Sequence, residues 1–260
     1  MEATTILTAV GIGVLVGIVV GALGAGGGIL SVPILVYLLG QSPHDAAAES
    51  LVIVALTAIV SIIPHARAGR VRVRDGLTFG LLSVIGAVAG SRLSVLVPED
   101  ALMVAFGVLL AAVGIVMIGK ARRARAGEAP RRADATASPG AVVAAACLTG
   151  FLTGFFGVGG GFVVVPMLVL GLAIPMRSAV ATSLLVMIIT STVGLASRVG
   201  TGIVIDWPLV LAFSIASMIG GLLGAPASRR ARESTLTLIF GLLLIAVAAA
   251  TLVRTFIALL

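Results

Sequence analysis

Two glycine clusters carry the most specific chemistry in this chain. Gly24, Gly26, Gly27 and Gly28 precede a short apolar run at 28–39, and Gly157, Gly159, Gly160 and Gly161 precede another at 161–172. Each run holds one proline, Pro33 or Pro166. Glycine permits positive φ and close backbone approach. A helix amino terminus presents free N–H groups and partial positive charge. Together they form a site for a small anion without a formal charge. Tight helix packing is the competing reading. It accounts for the isolated Gly86 and Gly90 better than for a duplicated cluster followed by proline. A nucleotide loop is excluded, because no Walker lysine, βαβ pattern or ribose-binding acid accompanies the glycines.

The elements that position these clusters must be membrane helices. Of 260 residues, 60% are hydrophobic and only 10% charged, and the mean hydropathy is +1.26. A soluble fold could not hide that much apolar surface, and the runs are continuous rather than alternating, which argues against a β-barrel. Eight runs are long enough to span the roughly 30 Å hydrocarbon core: 5–23, 46–64, 76–97, 101–119, 140–157, 178–197, 207–227 and 234–257. The expectation is an all-α polytopic membrane protein with eight long transmembrane helices plus two short, Gly/Pro-interrupted ones. The amino terminus has no basic residue and does not look like a signal peptide.

The net charge of +7 does not point to nucleic acid, because the basic residues sit in short loops and read as topology determinants. Arg67, Arg70, Arg72 and Arg74 form one cluster, Lys120 to Arg132 a second, and Arg229, Arg230 and Arg232 a third. If both short runs cross the bilayer, fourteen of the seventeen Lys and Arg fall on the cytoplasmic side and both termini lie outside. If both re-enter instead, the count falls to eleven. The positive-inside rule favours crossing.

The two halves repeat each other. Residues 21–35, GALGAGGGILSVPIL, and 154–168, GFFGVGGGFVVVPML, share eight of fifteen positions. The offset of 133 also aligns Glu49-Ser50-Leu51 with Thr182-Ser183-Leu184 and Gly69 with Gly202, and one residue later Gly86 and Gly90 align with Gly220 and Gly224. The expected organisation is a first membrane repeat at 1–119, a basic cytoplasmic linker at 120–139 and a second repeat at 140–260. Five crossings per half would invert the second repeat, the arrangement of many secondary transporters, whose sites lie where short broken helices meet.

Around the glycines, Ser50, Thr182 and Ser183 open the next long runs; their hydroxyls can donate to an anion or cap a helix. Glu49 is a candidate for proton or ion coupling if it lies at membrane depth, and is simply solvated if it lies at the interface. Ser31, Thr57, Ser61 and 190–192 either line a polar path or bond their own helix backbone. Arg92 and Arg198 fall outside the cytoplasmic bias. Arg92 reads as a snorkelling cation or an anion contact at a vestibule, and Arg198 as compensation of a helix carboxyl terminus. Cys147, inside an Ala/Val-rich run, reads as a small buried residue. His44, His65 and Cys147 make no metal-ligand pattern. No nucleophile-base arrangement is evident, so neither enzyme nor cofactor is expected.

The paired Gly-x-x-Gly-x-Gly-Gly-Gly-x4-Pro blocks, the Glu/Thr-Ser-Leu steps and the 4 + 4 long-helix duplication resemble the sulfite exporter TauE/SafE family over nearly the whole chain except the linker. The resemblance implies an inner-membrane permease for a small sulfur-containing anion such as sulfite or an organosulfonate. Glu49 departs from the family pattern, where a small Thr or Ala precedes the serine. A secondary transporter is the favoured reading; a channel-like anion pore and a non-transporting assembly partner are the alternatives.

Overall fold

The computed structural model describes residues 3–24, 27–126, 139–226 and 232–259. Ten helices make up these residues: α1 (Ala3–Leu23), α2 (Gly28–Tyr37), α3 (Pro43–Arg67), α4 (Val73–Ser94), α5 (Glu99–Arg125), α6 (Pro139–Phe156), α7 (Gly161–Leu170), α8 (Met176–Ser197), α9 (Trp207–Gly224) and α10 (Glu233–Leu259). Local chemistry sets several of the ends. Ser42 caps α3 by accepting from the Asp45 amide at 3.2 Å, with Pro43 in the first turn. Asp206 caps α9 through the Leu209 amide at 3.2 Å. Helix α5 opens on Glu99 and Asp100 and closes on Arg122, Arg123 and Arg125, which complements its dipole. The basic stretch after 120 therefore begins as the last turn of α5, and 127–138 lie outside the described residues.

Helices α3, α4, α5, α8, α9 and α10 are each long and apolar enough to cross a membrane. The apolar parts described for α1 and α6, Thr8–Leu23 and Gly140–Phe156, are shorter, and α2 and α7 have 10 residues each. At about 1.5 Å per residue a 10-residue helix covers roughly half of a bilayer core. The molecule is polarised inside-out. Leu81, Ile85, Ile215, Ile219 and Leu223 are exposed, whereas Ser50, Thr57, Ser61, Ser183, Thr190, Ser191 and Ser214 are fully buried. Water would penalise such an exterior; lipid does not.

Packing follows the duplication. Helix α1 lies along α9, and its counterpart α6 lies along α4. Helix α3 packs on α8 and α9, while α8 packs on α3 and α4; α5 packs on α10. Exchanging the two halves maps each of these pairings onto another or onto itself. The α1–α9 and α4–α6 seams are closed by glycine. A Cβ on Gly17 or Gly21 would strike the backbone of Ser217 or Gly221, and one on Gly220 or Gly224 would strike Val14 or Ile18. In the other seam Gly150 and Gly154 meet the backbone of Ser83 and Ala87, and Gly86 and Gly90 that of Cys147 and Phe151. Gly86 and Gly90 are packing glycines. Cys147 is half-buried in this seam, its Sγ 3.4 Å from the Leu82 carbonyl oxygen.

Equivalent helices run antiparallel where they touch. On α5 and α10, Gly107 meets Leu252, Gly114 meets Ile245, and the Arg125 guanidinium lies 3.4 Å from Thr235 Oγ1. On α3 and α8, the amino end of each meets the carboxyl end of the other, as the hydrogen bonds below establish.

The seams make one contrast sharp. Gly17→Leu must separate two backbones in contact, and is expected to cost at least about 1–3 kcal/mol. Gly11 is exposed and has nothing within 4 Å of an added Cβ, so Gly11→Leu is expected to be neutral. Thermal unfolding of the two variants in detergent micelles, with monodispersity as the fold check, measures the difference.

Candidate functional site

The glycine clusters form two loops, each leading into a short helix. Gly24, Gly157, Gly159 and Gly160 have φ of +59°, +67°, +65° and +81°, a region that favours glycine. Gly27 differs: it is the N-cap of α2 at φ −49° and ψ −26°, a conformation open to any residue. Gly26 lies outside the described residues. The loops reach across to each other, since a Cβ on Gly28, at the start of α2, would strike the backbone of Val158. No side chain caps either short helix; both amino-terminal turns are buried. The first N–H groups of a helix have no intrahelical partner, so two sets of backbone donors converge in the interior.

Each loop rests on the central helix of the opposite half. Gly24 sits on α8, where a Cβ would lie 2.7 Å from the Val180 oxygen and 2.9 Å from Ser183 Oγ. Gly157 sits on Ala47 of α3 in the same way, and Gly159 is backed by Val54 of α3 and Ser191 of α8. Ser183 Oγ donates to the carbonyls of Val180 at 2.8 Å and Gly24 at 3.2 Å. That single proton is shared between its own helix and the first loop. Ser50, the matching residue, is fully buried without a hydrogen-bond partner. The carboxyl ends of the short helices are pinned too: Tyr37 Oη lies 2.7 Å from Thr255 Oγ1, and Lys120 Nζ donates to the Val169 carbonyl at 3.0 Å.

Glu49 and Thr182 occupy equivalent positions and do equivalent work. Glu49 Oε1 accepts from the Asp206 amide at 2.9 Å, and Thr182 Oγ1 accepts from the Arg72 amide at 3.1 Å. Asp206 and Arg72 are the N-caps of α9 and α4. Each central helix thus holds the loop that enters the fourth helix of the other half. Glu49 has one atom more to satisfy: Oε2 is buried without a partner. Thr190 and Thr192 donate to carbonyls four residues back, at 3.0 and 2.7 Å. Ser31, Thr57, Ser61 and Ser191 are buried with no such bond.

A second equivalent pair lies at the other ends of the central helices. His65 Nε2 is 3.0 Å from the Gly21 carbonyl oxygen, and Arg198 Nη2 donates to the Gly154 carbonyl at 2.8 Å. Residues 65 and 198, like 21 and 154, are 133 apart. Each side chain ties its central helix to the helix that leads into its glycine loop.

A model of the family described as Sulfite exporter TauE/SafE matches residues 9–251. The chain belongs to the sulfite exporter TauE/SafE family. A "Probable membrane transporter protein" of Xylella fastidiosa (strain 9a5c) is 36% identical over 253 residues, 95% of each chain. A "Probable membrane transporter protein YunE" of Bacillus subtilis (strain 168) is 31% identical over 256 residues, 90% of this chain and 92% of its own. A "Probable membrane transporter protein MJ0441" of Methanocaldococcus jannaschii is 31% identical over 192 residues, 72% of this chain and 69% of its own. No solved structure matches the chain. As a TauE/SafE protein this is a membrane transporter.

The two cations outside the cytoplasmic bias part company in this TauE/SafE fold. Arg92 is exposed in the last turn of α4. Arg198 is only 3% exposed. It also donates from Nη1 to the His44 carbonyl at 3.4 Å and from Nη2 to Ser94 Oγ at 3.3 Å, and Nε has no partner. Burial pulls its pKa down to about 10, which leaves it charged at neutral pH. The carboxyl end of α8 offsets about 0.3–1 kcal/mol of that charge, up to about 2 in a buried setting. Desolvating an ion costs several kcal/mol, so helix-end compensation alone does not account for Arg198. The 133-residue spacing to His65 was the available signal; the change of residue type hid it.

Glu49 yields a direct test of the loop contact. Glu49→Leu strands the Asp206 amide and is expected to cost about 1–2 kcal/mol. Glu49→Gln keeps an acceptor oxygen and is expected to stay within about 0.5 kcal/mol of wild type. Thermal unfolding in detergent separates them.

Proposed function

We propose that this TauE/SafE protein is a secondary transporter for a small sulfur-containing oxyanion or organosulfonate, such as sulfite, across the inner membrane. The carrying observation is the meeting of two buried, uncapped helix amino termini where the glycine loops touch. A free anion loses its hydration on entering the bundle, and only preformed donors offset that loss. In this reading the backbone N–H groups of Gly26–Gly28 and Gly159–Gly161 receive the anion, with Gly24 and Gly157 shaping the loops. Ser50 is the side-chain donor; Thr182 and Ser183 hold the surrounding backbone. The second oxygen of Glu49 is where a coupled proton or cation would be held.

The halves act as inverted repeats that rock against each other to alternate access. The antiparallel contacts of α3 with α8 and α5 with α10 support inversion, and inversion needs an odd number of crossings per half. We therefore read α2 and α7 as crossing, with α1 and α6 as full spans, the 120–139 linker in the cytoplasm and both termini outside. Lys and Arg then concentrate on the cytoplasmic side.

Purified protein in liposomes should take up labelled sulfite saturably and show counterflow. Unsaturable conductance would instead favour a pore, and absence of flux an assembly partner. Gly27→Val tests the site. The backbone at Gly27 admits any residue, and an added Cβ meets side-chain atoms rather than backbone: Val20 and Val16 methyls at 3.3 and 3.5 Å and Ser31 Oγ at 3.7 Å. This variant should fold and lose at least about 90% of flux; wild-type flux would remove the site assignment. Gly160 is a poorer probe, because its positive φ and its contact with Thr153 make substitution there a folding defect as well.

A further inference from the structure

We propose that Arg198 forms a second anion-binding site, at the end of the bundle where α3 begins and α8 ends, holding a small oxyanion through guanidinium Nε and Ser94 Oγ. This site is distinct from the glycine loops and does not depend on them.

The duplication separates structure from function here. Both halves need a donor from position 65 or 198 to the glycine carbonyl at 21 or 154, and His65 supplies it in the first half without a permanent charge. The second half makes the same bond with an arginine, which cannot shed its charge at neutral pH. The structural task is common to both; the buried positive charge is extra. Among the described residues no carboxylate pairs with it directly: none lies within 4 Å of Arg198, unlike Arg72, which pairs with Asp75 at 3.6 Å. The acids of this end are turned elsewhere: Glu49 Oε1 holds the Asp206 amide, Asp45 Oδ1 holds the Val204 amide at 3.0 Å, and Asp206 holds Leu209.

Donor capacity remains at the same place. Arg198 Nε is buried and unpartnered, while Nη1 already holds the His44 carbonyl. Ser94 Oγ accepts from Nη2 and keeps its own proton for a ligand. A planar guanidinium with a free Nε edge beside a hydroxyl suits an oxyanion rather than a halide. The cover is thin: Val199 and Val204 are 75% and 71% exposed, and Gly200 and Gly202, both at positive φ, have nothing within 4 Å of an added Cβ.

The test compares sulfite-dependent rises in melting temperature at constant ionic strength, using sodium sulfite against sodium chloride. The background is full-length Gly27→Val, in which the glycine loops are blocked. A sulfite-dependent rise should persist in that background. Adding Arg198→His, which copies the other half and keeps the carbonyl bond, should weaken the apparent affinity at least about tenfold; Arg198→Lys should weaken it less. A rise unchanged by Arg198→His, or no rise in Gly27→Val, would overturn the proposal. Should Arg198→His fail to fold, anomalous scattering from selenate in wild-type crystals decides: a peak about 3 Å from Arg198 Nε supports the site, and none there sinks it. Loss of transport in Gly27→Val with no Arg198-dependent binding would leave the glycine reading standing alone.

Discussion

The fold depends on backbone touching backbone along two glycine seams. Where α1 meets α9 and α6 meets α4, Gly17, Gly21, Gly220 and Gly224, and likewise Gly86, Gly90, Gly150 and Gly154, leave no room even for a methyl group. In lipid, apolar side chains gain little by leaving their surroundings, so close van der Waals contact must hold helices together. The partners in each seam come from different halves. Neither repeat is therefore a finished bundle on its own, because the first helix of each half completes the other. The same exchange fixes the glycine loops, which follow directly from the ends of α1 and α6 and must land on the central helix opposite.

That arrangement explains why the two halves can be compared residue by residue. Position 49 or 182 anchors a loop amide and position 65 or 198 ties down the preceding glycine carbonyl, while Ser183 touches the opposite glycine loop and its counterpart Ser50 is buried without a hydrogen-bond partner. Where the pairings of the two halves correspond, each half meets the same main-chain task, so a difference in residue type there adds to that task. Glutamate replaces threonine at the first position and arginine replaces histidine at the last. Both additions fall at the same end of the bundle, because α3 and α8 run in opposite directions.

Much of this was legible in the sequence, for identifiable reasons. Helix positions follow from uninterrupted apolar runs, and α2 and α7 from the glycine clusters and prolines that punctuate them. The offset of 133 carried the pairing of halves. What sequence could not give was the backbone state within a motif repeated almost verbatim. Gly27 and Gly160 are equivalent in sequence, yet one is helical and the other left-handed, so their tolerance of side chains differs. Nor could it give the partners of Glu49 and Thr182, which are main-chain amides 157 and 110 residues away. A main-chain partner leaves no mark in residue type. Nor could it give the partner of Lys120, again a main-chain group: the Val169 carbonyl near the end of α7.

The distribution of polarity along the central helices then constrains how an anion could be handled. Between Glu49 and Arg198 at one end and His65 at the other, the polar side chains that α3 and α8 bury are hydroxyls, among them Ser50, Thr57, Ser61, Ser183, Thr190 and Ser191, all without exposure. Hydroxyls can donate or accept and carry no charge, so they neither trap an anion nor repel it strongly. A formal cation at mid-depth would bind too tightly for release, and a formal anion would bar entry. Under the proposed transport reading, passage requires binding that is favourable at entry yet weak enough to leave. Neutral donors at the glycine loops satisfy both conditions, provided that charge is kept to the ends. The permanent cation at one end and the histidine at the other place it there, and they make the two ends chemically unequal although corresponding helix pairings meet at both.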